Sequence, residues 1–370
     1  MTEMKVDFLD LQKLNHSYQE KMKDIFSDFL DKGWYILGDG VKSFEAAYSE
    51  FSGTKYCIGV ANGLDAIVLC LKAIGIGPGD EVIVPSNTYI ATWLAVNYVG
   101  AIPIPVEPRI STYNINPDLI EKAITNRTRA IIPVHLYGQC CEMGEIINIA
   151  NRYSLNVVED NAQSQGARYN NQMTGSFGIA NATSFYPGKN LGAFGDAGAV
   201  TTSDEEIEHK IRVLRNYGSE RKYYNEVKGI NSRLDELQAL FLSIKLKYLE
   251  EVNLKRIERA AIYNEALSCL GNIVLPRVAD KCTSVYHQYV IRTKSRDNLQ
   301  KFLADRNIGT MIHYPIPPHK QGAYNDRNFI DIDFHLAEEI ANTCLSLPIS
   351  SELTEEEQNY VIKSIKDFCQ

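Results

Sequence analysis

Through the first two-thirds of the chain, short uninterrupted apolar runs alternate with stretches of helical periodicity. The runs fall at residues 57–60, 81–85, 102–106, 130–135, 156–160, 181–186 and 199–202. Helical patterns lie between several of them, as at 64–74 and 144–153. A strand that is apolar at every position is covered on both faces, and an intervening helix returns the chain to start the next strand in parallel. The pattern therefore predicts an α/β fold: a large domain built on a mostly parallel seven-stranded sheet covered by helices. From about Asn231 a long helical stretch follows, "NSRLDELQALFLSIKLKYLEEVNLKRIERAAIYNEAL", with Leu234, Leu237, Phe241, Ile244 and Tyr248 as its core-facing stripe. Beyond it lies a smaller α+β region with a strand at 288–292 and a closing helix at 354–368. Thr354, with Glu357 three residues on, forms a capping box for that helix. The chain divides into a large domain at 1–248 and a small C-terminal domain at 249–370.

Composition removes several classes of function. The chain carries 38 basic and 46 acidic residues, a net charge of −8, with no basic block, so nucleic acid is not an expected partner. No apolar run approaches the roughly 20 residues of a membrane helix, and residues 1–10 hold no signal-peptide core. The 8 cysteines are scattered without metal-like spacing, which fits free thiols in a cytoplasmic enzyme. "GIGPGD" at 75–80 follows a helix and precedes a strand, the reverse of the order a dinucleotide loop requires. His313 and His319 are separated by Pro315, Pro317 and Pro318, which is not metal-ligand spacing.

In an open α/β sheet, ligands bind beyond the carboxyl ends of the strands. Four features of the sequence fall there. In "VVEDNAQSQGA", Asp160 ends an apolar strand and Gln163 follows three residues on. In "SFYPGKNLGAFGDAGAV", Ser184 lies near the end of its strand and Lys189 follows five residues later, on a turn rich in glycine. In "GVANGLDAIVLCLKAIG", a strand passes through Asn62-Gly63 directly into a helix, whose free N–H groups suit a phosphate. In "PSNTYIATWLA", Tyr89 follows another strand onto the same rim. Each feature alone has an ordinary structural explanation. Together they describe one ligand: a phosphate for Gly63 and Ser184, a flat ring for Tyr89, a ring nitrogen for Asp160 and an aldehyde for Lys189. That ligand is pyridoxal 5′-phosphate, bound covalently by the lysine.

These residues identify a resemblance. The chain is similar to the DegT-type nucleotide-sugar aminotransferases, which are fold type I pyridoxal-phosphate enzymes. The resemblance runs from "GWYILG" (33–38) through "ANGLDA", "PSNTYIAT", "PVHLYGQ", "EDNAQSQGA" and the lysine stretch to "IHYPIPPHKQGAY" (312–324) and "LSLPIS" (345–350). It implies Lys189 as the covalent and catalytic lysine, Asp160 as partner of the ring nitrogen, and Gln163 beside the ring at its phenolic oxygen. It implies phosphate contacts at Gly63, Leu64 and Ser184, and stacking by Tyr89. Asn231 is implied to reach the phosphate of a neighbouring subunit, so the active unit is expected to be a homodimer with shared sites. Many relatives have Ser-Gly-Thr where this chain has Asn62-Gly63-Leu64, so any contact at Leu64 comes from the backbone.

The resemblance also bears on the reaction. A related subgroup, the sugar 3-dehydratases, carries His in place of the lysine, so Lys189 points to amino transfer. The implied donor is L-glutamate and the acceptor a keto sugar on a nucleoside diphosphate. The stretch "SFYPGKNLGA" is similar to enzymes that make 3-amino-3,6-dideoxyhexoses from dTDP-linked 3-oxo-6-deoxyhexoses, for surface polysaccharide or glycoside synthesis. Amination at C4 of a 4-oxo sugar is the alternative, and a non-catalytic regulatory relative is an alternative of another class. Pocket candidates for the substrate are Tyr35, Tyr186, His313 and Tyr314, with Tyr223 arriving from a second subunit.

Overall fold

The computed structural model describes residues 4–325 and 333–370; the first three residues of the stretch read above for a signal core lie outside them. Seven strands form the central sheet: β1 (Tyr56–Val60), β2 (Glu81–Pro85), β3 (Ile102–Val106), β4 (Thr128–Ile131), β5 (Asn156–Asp160), β6 (Ala180–Ser184) and β7 (Gly198–Thr202). Their order is β1-β7-β6-β5-β4-β2-β3. The sheet is parallel except at β7, which runs against both β1 and β6. The expected strand at 130–135 ends earlier, at Ile131, because Pro133 has no N–H to continue the ladder. The strand expected to reach residue 186 stops at Ser184, where the chain leaves for the lysine turn.

Helices cover both faces. In the N-terminal part these are α1 (Gln19–Lys32), α2 (Asp39–Ser52), α3 (Gly63–Ala73), α4 (Ile90–Tyr98), α5 (Met143–Tyr153) and α6 (Glu205–Leu214). Alternate strand residues point to opposite faces. Val82 and Val84 pack with Ala66, Leu69 and Ala73 of α3, whereas Ile83 packs with Met143, Ile146 and Ile149 of α5. Asn62 starts α3, since its Oδ1 accepts from Asp65 N–H at 2.8 Å.

The long helical stretch is two helices, α7 (Glu236–Leu246) and α8 (Leu249–Leu267), parted where Tyr248 leaves helical geometry at φ −112°, ψ 1°. The core stripe is correspondingly different from the expected one. Leu234, Ala239, Leu242 and Leu249 join the core around Phe44 and Phe185, while Leu237, Phe241 and Tyr248 are only half-buried. A hairpin of β8 (Ser219–Arg221) and β9 (Tyr224–Asn225) precedes them. The C-terminal part pairs β10 (Tyr289–Arg292) antiparallel with β11 (Cys344–Leu347). Ala260, Tyr263 and Leu267 of α8 pack there against α9 (Arg296–Ala304) and the closing helix α10 (Glu355–Cys369), and the N-terminal Val6 joins the same core. The capping box is present: Thr354 Oγ1 accepts from Glu357 N–H at 3.1 Å, and Thr354 N–H donates to Glu357 Oε2 at 2.7 Å. Among the described residues no helix is long and apolar enough to cross a membrane.

Candidate active site

Lys189 reaches the sheet rim through a tight loop after β6. Lys189 N–H donates to the Tyr186 carbonyl at 2.8 Å, and Ala193 N–H closes the loop on the Phe185 carbonyl at 2.8 Å. The closure needs Gly192, where a Cβ would stand 2.3 Å from the Pro187 carbonyl oxygen. The turn thus directs the lysine inward rather than to solvent. Burial brings its amine down to about 8, against the pull of the Asp160 carboxylate. Asp160, the last residue of β5, is itself buried, and burial raises its pKa. A hydrogen bond from Thr92 Oγ1 at 2.9 Å, another from Ala162 N–H at 3.2 Å and the Lys189 charge all oppose that rise.

Beside this pair lies an anion cradle. Gly63 opens α3 directly against the end of β6: a Cβ there would stand 2.7 Å from Ser184 Cβ. Asp65 N–H is capped by Asn62, and among the described residues nothing accepts from Gly63 N–H or Leu64 N–H. Two free helix N-terminal donors beside a serine hydroxyl suit a phosphate.

On the other side the rim is aromatic. Gln163 Nε2 donates to Tyr314 Oη at 3.1 Å, while its Oε1 accepts from Tyr137 N–H at 2.6 Å. The Tyr314 ring lies 5.1 Å from that of Tyr89. Tyr137 holds a left-handed backbone, φ 58°, and its hydroxyl donates to the His313 carbonyl. His313 Nδ1 is 2.8 Å from Ser346 Oγ, and burial together with the Lys189 charge lowers its pKa to about 4.

The structure brings Lys189, Asp160, Gly63, Leu64, Ser184, Gln163, Tyr89, His313 and Tyr314 to one rim. Of the other candidates, Tyr35, Tyr223 and Asn231 stand apart from this cluster among the described residues, while Tyr186 meets it through its backbone, its N–H donating to Ser184 Oγ at 3.3 Å and its carbonyl accepting from Lys189 N–H. Tyr35 packs on Phe29 of α1 at 4.9 Å, and Tyr186 is exposed beside the lysine turn. Tyr223, at the tip of the β8–β9 hairpin, is 86% exposed. Asn231 is exposed and bridges to Asn216. Two further residues of the site carry no signal of their own in the sequence, Thr92 and Tyr137. They stand inside "PSNTYIAT" and "PVHLYGQ", so only their position in those stretches flags them. Two surface concavities on the described residues, lined by Asp204, Glu206 and His209 at the start of α6, hold none of these groups.

A family model described as the DegT/DnrJ/EryC1/StrS aminotransferase family matches residues 16–366. The dTDP-3-amino-3,6-dideoxy-alpha-D-galactopyranose transaminase of Aneurinibacillus thermoaerophilus is 52% identical over 363 residues, 98% of this chain and 99% of that protein. The dTDP-3-amino-3,4,6-trideoxy-alpha-D-glucose transaminase of Streptomyces venezuelae is 44% identical over 366 residues, 99% of this chain and 97% of that one. Among solved structures, S. venezuelae DesV in complex with a ketimine intermediate superposes with a TM-score of 0.97 at 45% identity, covering 99% of both chains.

Proposed function

The chain belongs to the DegT/DnrJ/EryC1/StrS aminotransferase family, and from that premise we propose that it transfers an amino group from L-glutamate to C3 of a dTDP-linked 3-oxo-6-deoxyhexose, giving a 3-amino-3,6-dideoxyhexose. It is an aminotransferase, and its cofactor is pyridoxal 5′-phosphate. The observation that carries the reading is the lowered Lys189 amine beside the Asp160 carboxylate, with the open N–H groups of α3 next to them. Those residues fit the cofactor group for group. Gly63 N–H, Leu64 N–H and Ser184 would hold the phosphate, Asp160 the ring nitrogen and Lys189 the aldehyde, with Tyr89 and Gln163 flanking the ring.

When bound, the cofactor supplies an electron sink for the carbon bearing the amino group. The chain supplies the rest. Lys189, uncharged above about pH 8 once it is free, would take the proton from that carbon and deliver it to the carbon that carried the cofactor's aldehyde. The buried Asp160 carboxylate, steadied by Thr92 and Ala162 N–H, favours a protonated ring nitrogen. Gln163 has its oxygen engaged by Tyr137 N–H, so it offers only its NH₂ group to the phenolic oxygen.

Amination at C3 is supported by the activities for which two relatives, at 52% and 44% identity, are named and by the lysine stretch. It is favoured over C4 amination and over a purely regulatory role. On the substrate side, His313 and Tyr314 stand at the rim, and Tyr35 and Tyr186 would complete the pocket. Asn231 and Tyr223 would arrive from the second subunit of a homodimer. Exposed Trp34, Tyr35, Ile36 and Phe194 are apolar surface that a second copy would cover. The division into a cofactor-binding part, 1–248, and a smaller part, 249–370, belongs to the same reading. So do a cytoplasmic location, where nucleotide-linked sugars and reduced thiols are at home, and a product destined for lipopolysaccharide, another surface polysaccharide or a glycoside. The donor is tested by mixing holoprotein with L-glutamate alone. The visible absorbance of the bound cofactor should bleach, and the dTDP-3-oxo sugar should restore it. An unchanged spectrum would exclude glutamate as donor.

A further inference from the structure

The N-terminal segment is fastened at both ends beside the active-site rim. At one end Val6 bridges to Ile308: Val6 N–H donates to the Asn307 carbonyl at 2.9 Å, and Gly309 N–H donates to the Val6 carbonyl at 2.8 Å. The approach is so close that a Cβ on Gly309 would stand 2.6 Å from Phe8 N. At the other end Asp10 caps the short helix Leu11–Asn15, its Oδ1 accepting from Lys13 N–H at 3.0 Å. The Lys13 amine meets Glu357 Oε2 of α10 at 2.9 Å. Asn15 Oδ1 accepts from the Lys245 amine of α7 at 3.0 Å, and that same amine donates to the Gly192 carbonyl of the lysine turn.

Between these anchors Phe8 and Leu9 are held against two groups of the rim. The Phe8 ring lies 5.7 Å from that of His313. Leu9 Cδ2 and Tyr186 Cε1 stand 3.4 Å and 3.7 Å from the point that a Cβ on Gly188 would occupy, one residue before Lys189. Val6 joins the C-terminal core, but Phe8 and Leu9 are only half-buried, and neither joins a hydrophobic core among the described residues. Two apolar side chains left out of the cores and pinned beside His313 and Tyr186 make an apolar wall on the acceptor side. A hexose is hydroxylated around its ring, and in a 6-deoxyhexose the one apolar substituent is the C6 methyl. An apolar wall favours covering that methyl and leaves a C6 hydroxyl without a hydrogen-bond partner.

We propose that Phe8 and Leu9 are specificity-determining residues: they form the wall that receives C6 of the hexose and selects a methyl over a hydroxymethyl group there. The anchors at Val6, Lys13 and Asn15 hold that wall in place. This rests on the reading of the acceptor as a dTDP-linked 3-oxo-6-deoxyhexose.

The test runs the proposed reaction backwards, from amino sugars. Holoprotein is mixed with a dTDP-3-amino-3,6-dideoxyhexose or with the dTDP-3-amino-3-deoxyhexose of the same ring configuration, which differs only by its C6 hydroxyl. Bleaching of the cofactor's visible absorbance gives a rate constant per unit concentration for each sugar. We expect the wild type to favour the 6-deoxy sugar by about 10²-fold, the scale on which an apolar pocket rejects an added hydroxyl. Phe8→Ala and Leu9→Ala should each narrow that ratio by about tenfold. A variant that only weakens the fold would slow both sugars together and leave the ratio as it was. Either variant carries the test if the other does not fold. A wild-type ratio near one, or a wild-type ratio in the folded variants, would overturn the proposal. The two levels separate in the wild type. If only dTDP-4-amino-4,6-dideoxyglucose bleaches the cofactor, the C3 reading fails, and the same ratio, measured with and without the C6 hydroxyl on the 4-amino sugar, decides the wall. If the 3-amino-3,6-dideoxyhexose bleaches it and the ratio does not move in the variants, only the wall fails.

Discussion

Lys189 must be uncharged to react, yet it sits beside a carboxylate that favours its charged form. Burial prevails and brings the amine to about 8. Below that pH the amine is protonated, so cofactor capture should fall about tenfold per pH unit and level off above it. The same shift links pH to stability. The unfolded lysine keeps its proton up to its ordinary 10.5 while the folded one loses it near 8, so between those values the unfolded state binds more protons. Stability of the cofactor-free protein contributed by this group should therefore rise from about pH 8 to 10.5, read as melting temperature. Lys189→Ala should abolish turnover while the fold survives, checked by assay and circular dichroism. Asp160→Asn should still bind the cofactor, because the amide hydrogen-bonds, but it stabilises no positive ring nitrogen. Its single-turnover half reaction with glutamate should slow by about 10²-fold or more. A wild-type rate would remove Asp160 from the ring.

At the scale of elements, the cradle depends on how closely α3 approaches β6. Gly63→Ala would place a methyl 2.7 Å from Ser184 Cβ and 3.3 Å from its Cα, and neither can swing away. It should cost about 1–3 kcal/mol of stability and weaken cofactor binding, measured by melting and by cofactor titration. Alignment of the strands and the start of α3 was legible because periodicity and capping are local. Asp160, Ser184 and Gly63 were legible for the same reason, since each sits where a strand ends or a helix begins, and Lys189 because a single lysine stands on the glycine-rich turn that follows β6. The break at Tyr248 was not, since no glycine or proline marks it and the apolar pattern runs on. A buried string of hydrogen bonds, from the Gln165 carbonyl through the side chains of Asn253 and Asn190 to His287 Nδ1, was not legible either. Its links span 88, 63 and 97 residues, and a buried asparagine reads in sequence like any surface one.

For the whole molecule, the shared-site reading makes a prediction about hybrids. Lys189→Ala and Asn231→Ala chains should each be impaired alone. Mixed, they should form heterodimers in which one site regains both native residues, so activity should partly return. No recovery from a badly impaired Asn231→Ala parent would mean that each site is built within one chain. The exposed residues 34–36 and Phe194 should then become protected in the dimer, as read by hydrogen exchange. The central claim, amino transfer to C3, is tested most directly by the product. Holoprotein is incubated with L-glutamate and either a dTDP-3-oxo-6-deoxyhexose or dTDP-4-oxo-6-deoxyglucose, and the products are assigned by NMR. The account predicts a 3-amino sugar formed from the 3-oxo substrate; faster conversion of the 4-oxo sugar, with nitrogen at C4, would contradict it.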